Sequence, residues 1–286
     1  MSTANKLYNY FLHLSPMKIL LLGYCTIIAL GTLLLSLPIA VKAPGTQNLL
    51  TGFFTATSAT CVTGLIQFDT YTHWSFFGQI VILSLIQIGG MGFMTLCIAI
   101  MTVTKRKIGL VSRSLMQNSV SAPQIGGIVK MTKFILLGTI IVEATGAVLL
   151  CFHFCPQLGW KQGLWFSIFH SISAFCNAGF DLMGSQAPFS SLTAEVGNWY
   201  VNVIIMLLII IGGLGFFVWH DMISTKFDFR HMRLHTKLVL FITVCLVFGG
   251  AALLFLCENG TASYENLNTS ERIAASLFQS VNARTA

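Results

Sequence analysis

Five long uninterrupted apolar stretches, at residues 19–35, 76–103, 134–152, 199–219 and 238–257, leave this chain few ways to fold. Each is near or above the roughly 20 residues that a helix needs to cross hydrocarbon. Lipid offers no hydrogen-bond partners, so the backbone of such a stretch must satisfy itself, which selects helices. The chain therefore reads as an all-α membrane protein with five spanning helices. Composition agrees, since 55% of the 286 residues are hydrophobic and 9% are charged, outside the soluble globular range. The first stretch is long for the core of a signal peptide, and residues 38–44 show no small-residue cleavage pattern, so it reads as a retained anchor. Three further segments, 49–59, 164–174 and 273–281, are apolar-to-small but too short to cross, a length that suits re-entrant helices.

Charge separates the two sides. The N-terminus and the loops after the second and fourth spans hold Lys6, Lys18, Lys105, Arg106, Lys107, Arg113, Lys130, Lys133, Lys226, Arg230, Arg233 and Lys237. Short loops rich in Lys and Arg stay in the cytoplasm, which puts the N-terminus there and the short segments on the outer side of a multi-pass cell-membrane protein. The opposite side carries Lys42, Lys161, Arg272 and Arg284, but also Asp69, Asp181, Glu195, Glu258, Glu265 and Glu271. Those carboxylates either solvate loops or concentrate cations at the mouth of a path. The basic loops either set orientation alone or also dock a protein; they are no signature of nucleic-acid binding.

The chain also repeats itself, which is the sign of an architecture built from stacked units. The runs FFTATSATCVTGL at 53–65, IFHSISAFCNAGF at 168–180 and LFQSVNARTA at 277–286 share an aromatic, a Ser/Thr/Ala-rich stretch and a small-residue ending. A second element, QIGGMGFM at 87–94 and IIGGLGFF at 210–217, follows the first two in the same order. The unit is a spanning helix, a re-entrant segment and a second spanning helix. Its boundaries divide the chain into a cytoplasmic N-terminus (1–16), a first unit (17–104), a basic loop (105–131), a second unit (132–220), a second basic loop (221–235) and an incomplete third unit (236–286).

Non-helical backbone survives at membrane depth only where protein buries it or a water-filled cavity receives it. A short helix ending in a Thr/Ala/Gly run offers a row of carbonyls that can replace the water shell of a cation. Glycine reaches positive φ at little cost, so carbonyls on both sides of it can face one axis. The helix directs its negative C-terminal dipole the same way.

Together, SATCVTGL, SISAFCNAGF, QSVNARTA and the two GGxGF runs resemble the membrane subunit of the Trk/Ktr/HKT superfamily of potassium transporters, most closely its KtrB branch, over nearly the whole chain. The resemblance implies four helix–pore helix–helix units around a pseudo-fourfold pore, with about two and a half of them here. It implies an ion filter made by the backbone carbonyls of Cys61, Val62, Thr63 and Gly64, of Cys176, Asn177, Ala178 and Gly179, and of Arg284, Thr285 and Ala286. Glycine at position 64 is similar to the potassium-selective members. The implied function is gated K+ uptake down the electrochemical gradient, with K+ as substrate at the filter, Na+ as a candidate activator, and no cofactor or structural metal in this chain. The implied partners are a second copy in a homodimer and a cytosolic nucleotide-binding regulatory subunit of the KtrA type, the only route for nucleotide control. The alternative expectation is a truncated membrane fragment without autonomous transport, acting at most as an assembly element.

Single residues carry open alternatives. Glu143, inside IIVEATGAVLL, costs roughly 2.5–3.5 kcal/mol to insert and must face protein or water. It is either an electrostatic partner of the cation or a group paired with a donor near a pore helix. Gly89, Gly90, Gly92, Gly212, Gly213 and Gly215 are either hinges or close-packing surfaces. Cys151 and Cys155 read as small hydrophobes rather than metal ligands or a disulfide. The chain shows no Walker loop, HExxH run, catalytic carboxylate pair or nucleophile elbow, so it is not read as an enzyme.

Overall fold

A computed structural model describes residues 16–43, 45, 48–92, 128–185, 187–261, 264–265 and 267–285. The chain is an all-α membrane protein, and among the described residues extended pairing is limited to one isolated bridge between Val41 and Trp74. Helix α1 (Pro16–Leu35) stops where Leu37, forced out of the helical region by Pro38, starts a short 3₁₀ turn. Helix α2 (Leu49–Thr60) is capped by Asn48, whose side chain accepts from the Leu50 N–H. A one-turn helix, α3 (Thr70–His73), leads to α4 (Phe76–Met91), capped by the Ser75 hydroxyl on Gly78 N–H. Helix α5 (Ile128–Leu158) is followed, after Gly159 alone, by α6 (Trp160–Phe175). Gly159 has φ +81°, which lets the chain reverse within one residue. Then come α7 (Trp199–Gly213), α8 (Phe216–Ser224), α9 (Leu234–Glu258) and α10 (Thr269–Thr285).

By length and composition two helical segments, Met131–Leu158 and Leu234–Glu258, can each cross a membrane. The α7–α8 pair counts as a third only as a broken span, because α8 leaves α7 at 92°. This corrects the continuous fourth span expected at 199–219. Gly215, at φ +88°, turns the backbone between the two helices, a conformation that side chains rarely adopt. Of the second expected span, 76–103, α4 covers Phe76–Met91 and ends against Gly92 at φ +78°; residues 93–127 lie outside the described residues. Most of the expected basic loop at 105–131 falls there too. The apolar helices at Leu20–Leu35 and Phe76–Met91 are shorter than a full crossing.

The repeat is visible in the packing. Each long first helix lies against the short helix that follows it, and a glycine makes the approach: Gly31 of α1 meets Ala56 and Leu85, Gly146 of α5 meets Ser171 and Leu208, and Gly250 of α9 meets Ser280. A methyl at any of the three would come within 3 Å of a neighbouring side chain. Small residues at such seams let backbones approach in a medium that supplies no hydrophobic drive between helices. The buried centre is built from Ile82 and Ile86 of α4, Phe154 of α5, and Phe166 and Phe169 of α6. Outward-facing Leu33, Ile140, Phe152, Phe241 and Leu253 stay exposed, as a lipid-facing surface requires. Cys151 and Cys155 are free thiols one turn apart, with Sγ atoms 2.6 Å from each other.

Candidate ion filter

The ends of α2 and α6 have one backbone design. In α2, Cys61 N–H donates to Thr57 O, Val62 N–H to Ala59 O and Thr63 N–H to Ser58 O, at 2.8, 3.3 and 2.9 Å. In α6, Cys176, Asn177 and Ala178 donate to Ile172, Ala174 and Ser173, at 2.9, 3.1 and 2.8 Å. This is the six-to-one and five-to-two pattern of a Schellman cap, whose pivot needs a left-handed residue. Val62 (φ +57°) and Asn177 (φ +56°) are those pivots. Two residues later Gly64 and Gly179 both stand at φ +72°. The caps satisfy helix-terminal carbonyls with the chain's own amides, so the four-residue runs leave α2 and α6 in the same conformation.

These two runs meet. A Cβ built on Gly64 would lie 2.6 Å from Ala178 O, and one built on Gly179 would lie 3.4 Å from the Gly64 Cα. They line a cavity of about 240 Å³ together with Thr63, Asn177, Asp181, His170, Phe278 and Asn282. Segments from all three repeats thus border one space. His170 shapes its wall: Leu182 N–H donates to Nε2 at 3.3 Å, so the ring proton sits on Nδ1 and donates to Phe166 O at 2.8 Å. The Ser173 hydroxyl, donating to Phe180 O at 2.6 Å, ties the exit of the second run to its own helix.

The GGxG elements divide into two roles. A Cβ on Gly89 would collide with Thr60 O, and one on Gly212 with Phe175 O, the last residue of the short helix in each unit. Gly90 and Gly213 face the following repeat, Cys176 for the first and Arg284 with Thr285 for the second. These four are close-packing positions. Gly92 and Gly215 have positive φ, the first at the end of α4 and the second between α7 and α8, and a Cβ on Gly215 would meet nothing within 4 Å.

The third segment differs from the first two. Helix α10 continues through Thr285, so Arg284 and Thr285 occupy its last turn and not an exit run, and Ala286 lies outside the described residues. Arg284 Nη1 donates to Thr243 Oγ1 at 2.8 Å. Glu143 does not border the cavity. Both of its carboxylate oxygens accept from Gln87 Nε2, at 2.9 and 3.0 Å, and the Cys176 thiol points at Oε1 over 3.9 Å. Of the carboxylates read as either solvating loops or concentrating cations, Asp69 and Glu195 are buried. Asp69 accepts from Thr72 N–H at 2.8 Å and from Phe189 N–H at 3.1 Å; Glu195 accepts from Asn198 Nδ2 at 3.0 Å and lies 3.1 Å from His153 Nε2. They organise loops, while Asp181 lines the cavity. Beside them, burial holds the Lys42 ammonium below the usual lysine range, and its charge lies 3.8 Å over the Tyr71 ring.

Gln87, the residue that engages Glu143, was not singled out from the sequence. The available signal was an isolated amide in an apolar run immediately before a GGxG element.

The family described as TrkH, cation transport protein, matches residues 28–286. The chain is 38% identical over 273 residues to the potassium/sodium uptake protein NtpJ of Enterococcus hirae, covering 96% of this chain and 59% of that protein. It is 40% identical over 273 residues to the Ktr system potassium uptake protein B of Bacillus subtilis (95% and 60%). The Vibrio alginolyticus protein of the same name is 33% identical over 271 residues (94% and 58%). The chain therefore spans about three fifths of the length of the curated relatives it matches. With the family match over residues 28–286, the chain belongs to the TrkH family of cation transport proteins.

Proposed function

We propose that this chain supplies the first units of a potassium-uptake pore in the cell membrane, with runs 61–64 and 176–179 as two segments of its ion filter. The observation that carries the reading is the pair of identical exits from α2 and α6, which meet at Gly64 and Gly179 on a shared cavity. Carbonyls in such runs substitute for the hydration shell of a cation, and two helix C-termini aimed at one space lower its potential further. Potassium loses its water shell at lower cost than smaller cations, which suits a filter made of neutral carbonyls. Two further segments would complete a fourfold ring, and Arg284 to Ala286 would belong to the third. The similarity to two relatives named as Ktr system potassium uptake proteins supports a multi-component system. In it the turn around Lys226, Arg230 and Arg233, exposed between α8 and α9, would face a cytosolic regulator that binds the nucleotide, and the membrane subunit would pair with a second copy.

The test is rubidium uptake by a bacterium lacking its own potassium transporters, carrying the whole protein. Saturable rubidium uptake, competed by potassium more strongly than by sodium, is expected. Uptake no faster than in the host alone would overturn the reading.

A further inference from the structure

The seam between the first and second units carries a polar clamp with no counterpart at the next seam. Glu143 lies three residues before Gly146, as Ile28 lies three before Gly31 and Val247 three before Gly250. The equivalence is more than sequence spacing: the Ser171 hydroxyl of α6 donates to Glu143 O at 2.7 Å, and the Ser280 hydroxyl of α10 donates to Val247 O at 2.8 Å. On the partner side, Gln87 stands two residues before Gly89, and Ile210 two before Gly212. So the pair that is Gln87 with Glu143 at the first seam corresponds to Ile210 with Val247 at the second. Of the two seams among the described residues, the amide–carboxylate pair occurs at the first, while Arg284 stands against Gly213 at the second.

The first-seam pair lies directly behind the second filter run. Cys176, which caps α6 and begins the run, sits between the Glu143 carboxylate and Gly90. Gly90 is three residues along α4 from Gln87 and so lies on the same face. Gln87, Glu143, Cys176 and Gly90 thus form one closed contact among α4, α5 and the end of α6. It links the second run to Glu143 and, through it, to Gln87 of the first unit by side-chain bonds, while the Ser171 hydroxyl holds α6 to the Glu143 carbonyl within the second unit. In a low-dielectric interior a paired buried carboxylate holds its geometry tightly, since releasing the amide leaves it unsatisfied.

We infer that Gln87 and Glu143 are positioning residues for the second filter run, fixing Cys176 to Gly179 against Gly64 so that the ring discriminates between cations. The inference rests on the transport reading above. The clamp acts through geometry, with the carboxylate turned away from the cation path, so shape and hydrogen bonding matter and the charge of residue 143 does not.

The experiment measures, in the whole protein, the ratio of rubidium to sodium uptake, a quantity independent of how much protein reaches the membrane. Glu143→Gln keeps the shape and a bond to Gln87 and should retain the native ratio. Glu143→Met and Gln87→Met each remove the bond and should lower the ratio by about 10-fold, the equivalent of one lost hydrogen bond to a buried group. The rubidium KM should rise more than the maximal rate falls. A native ratio in both methionine variants would overturn the inference. So would an equal loss in Glu143→Gln, which would mark the charge as the operative feature. An inactive native protein would sink the transport reading, and this inference with it, before any variant is compared.

Discussion

Val62 is a β-branched residue at φ +57°, where its Cβ crowds the following carbonyl. Asn177 occupies the same pivot in the second repeat, and asparagine is among the few side chains that tolerate it. Val62→Asn should therefore stabilise the protein by about 1 kcal/mol in detergent thermal unfolding. A lower midpoint would show that Val62 packing on Gly89 outweighs the strain. Gly64 and Gly179 are alike in φ but not in surroundings. At Gly64 a methyl would press on Ala178 O at 2.6 Å; at Gly179 its nearest neighbour is at an ordinary 3.4 Å. Gly64→Ala should reduce rubidium uptake more than Gly179→Ala, by about 10-fold or more when the strain of the overpacked site is added. Equal losses would contradict the geometry. Outside the membrane, burial holds the His73 imidazole below the ordinary histidine range. Its folded form binds fewer protons than the unfolded chain, so stability falls as pH drops below the unfolded value of about 6.5 and the penalty is absent above it. His73→Gln should narrow the difference between unfolding midpoints measured at pH 5 and pH 7.5.

At the scale of elements, the short helices α2 and α6 and their polar exits were legible because they combine two local signals: a length too short to cross and a Ser/Thr/Ala run closing on glycine. What was not legible depends on distant partners. The pairing of Gln87 with Glu143 joins residues on different units, and the burial of Asp69 depends on the Phe189 amide far along the chain. Apolar continuity also conceals breaks. Residues 199–219 read as one span because hydropathy does not register backbone direction, yet Gly215 turns α8 by 92° from α7. The third short helix was expected to give way to an exit run at Arg284, but α10 holds that residue in its last turn. A consequence for packing follows from the GGxG elements. Gly212→Ala drives a methyl into Phe175 O, a backbone atom that cannot rotate away, and should lower stability by about 1–3 kcal/mol in thermal unfolding. Gly249→Ala, where a Cβ meets open space, should be nearly neutral and serves as the comparison.

For the molecule as a whole, the repeat accounts for both architecture and site. Three first helices carry a glycine at the same seam, two short helices end in the same cap, and two GGxG elements receive those ends. The two runs lie side by side, with Gly64 against Ala178 and Gly179, on one cavity. The central claim is that the cation binds between these runs. Rubidium anomalous diffraction from crystals of the whole protein tests it most directly. The account predicts a peak between residues 62–64 and 177–179; rubidium bound elsewhere in the same crystal, with none between these runs, would contradict it.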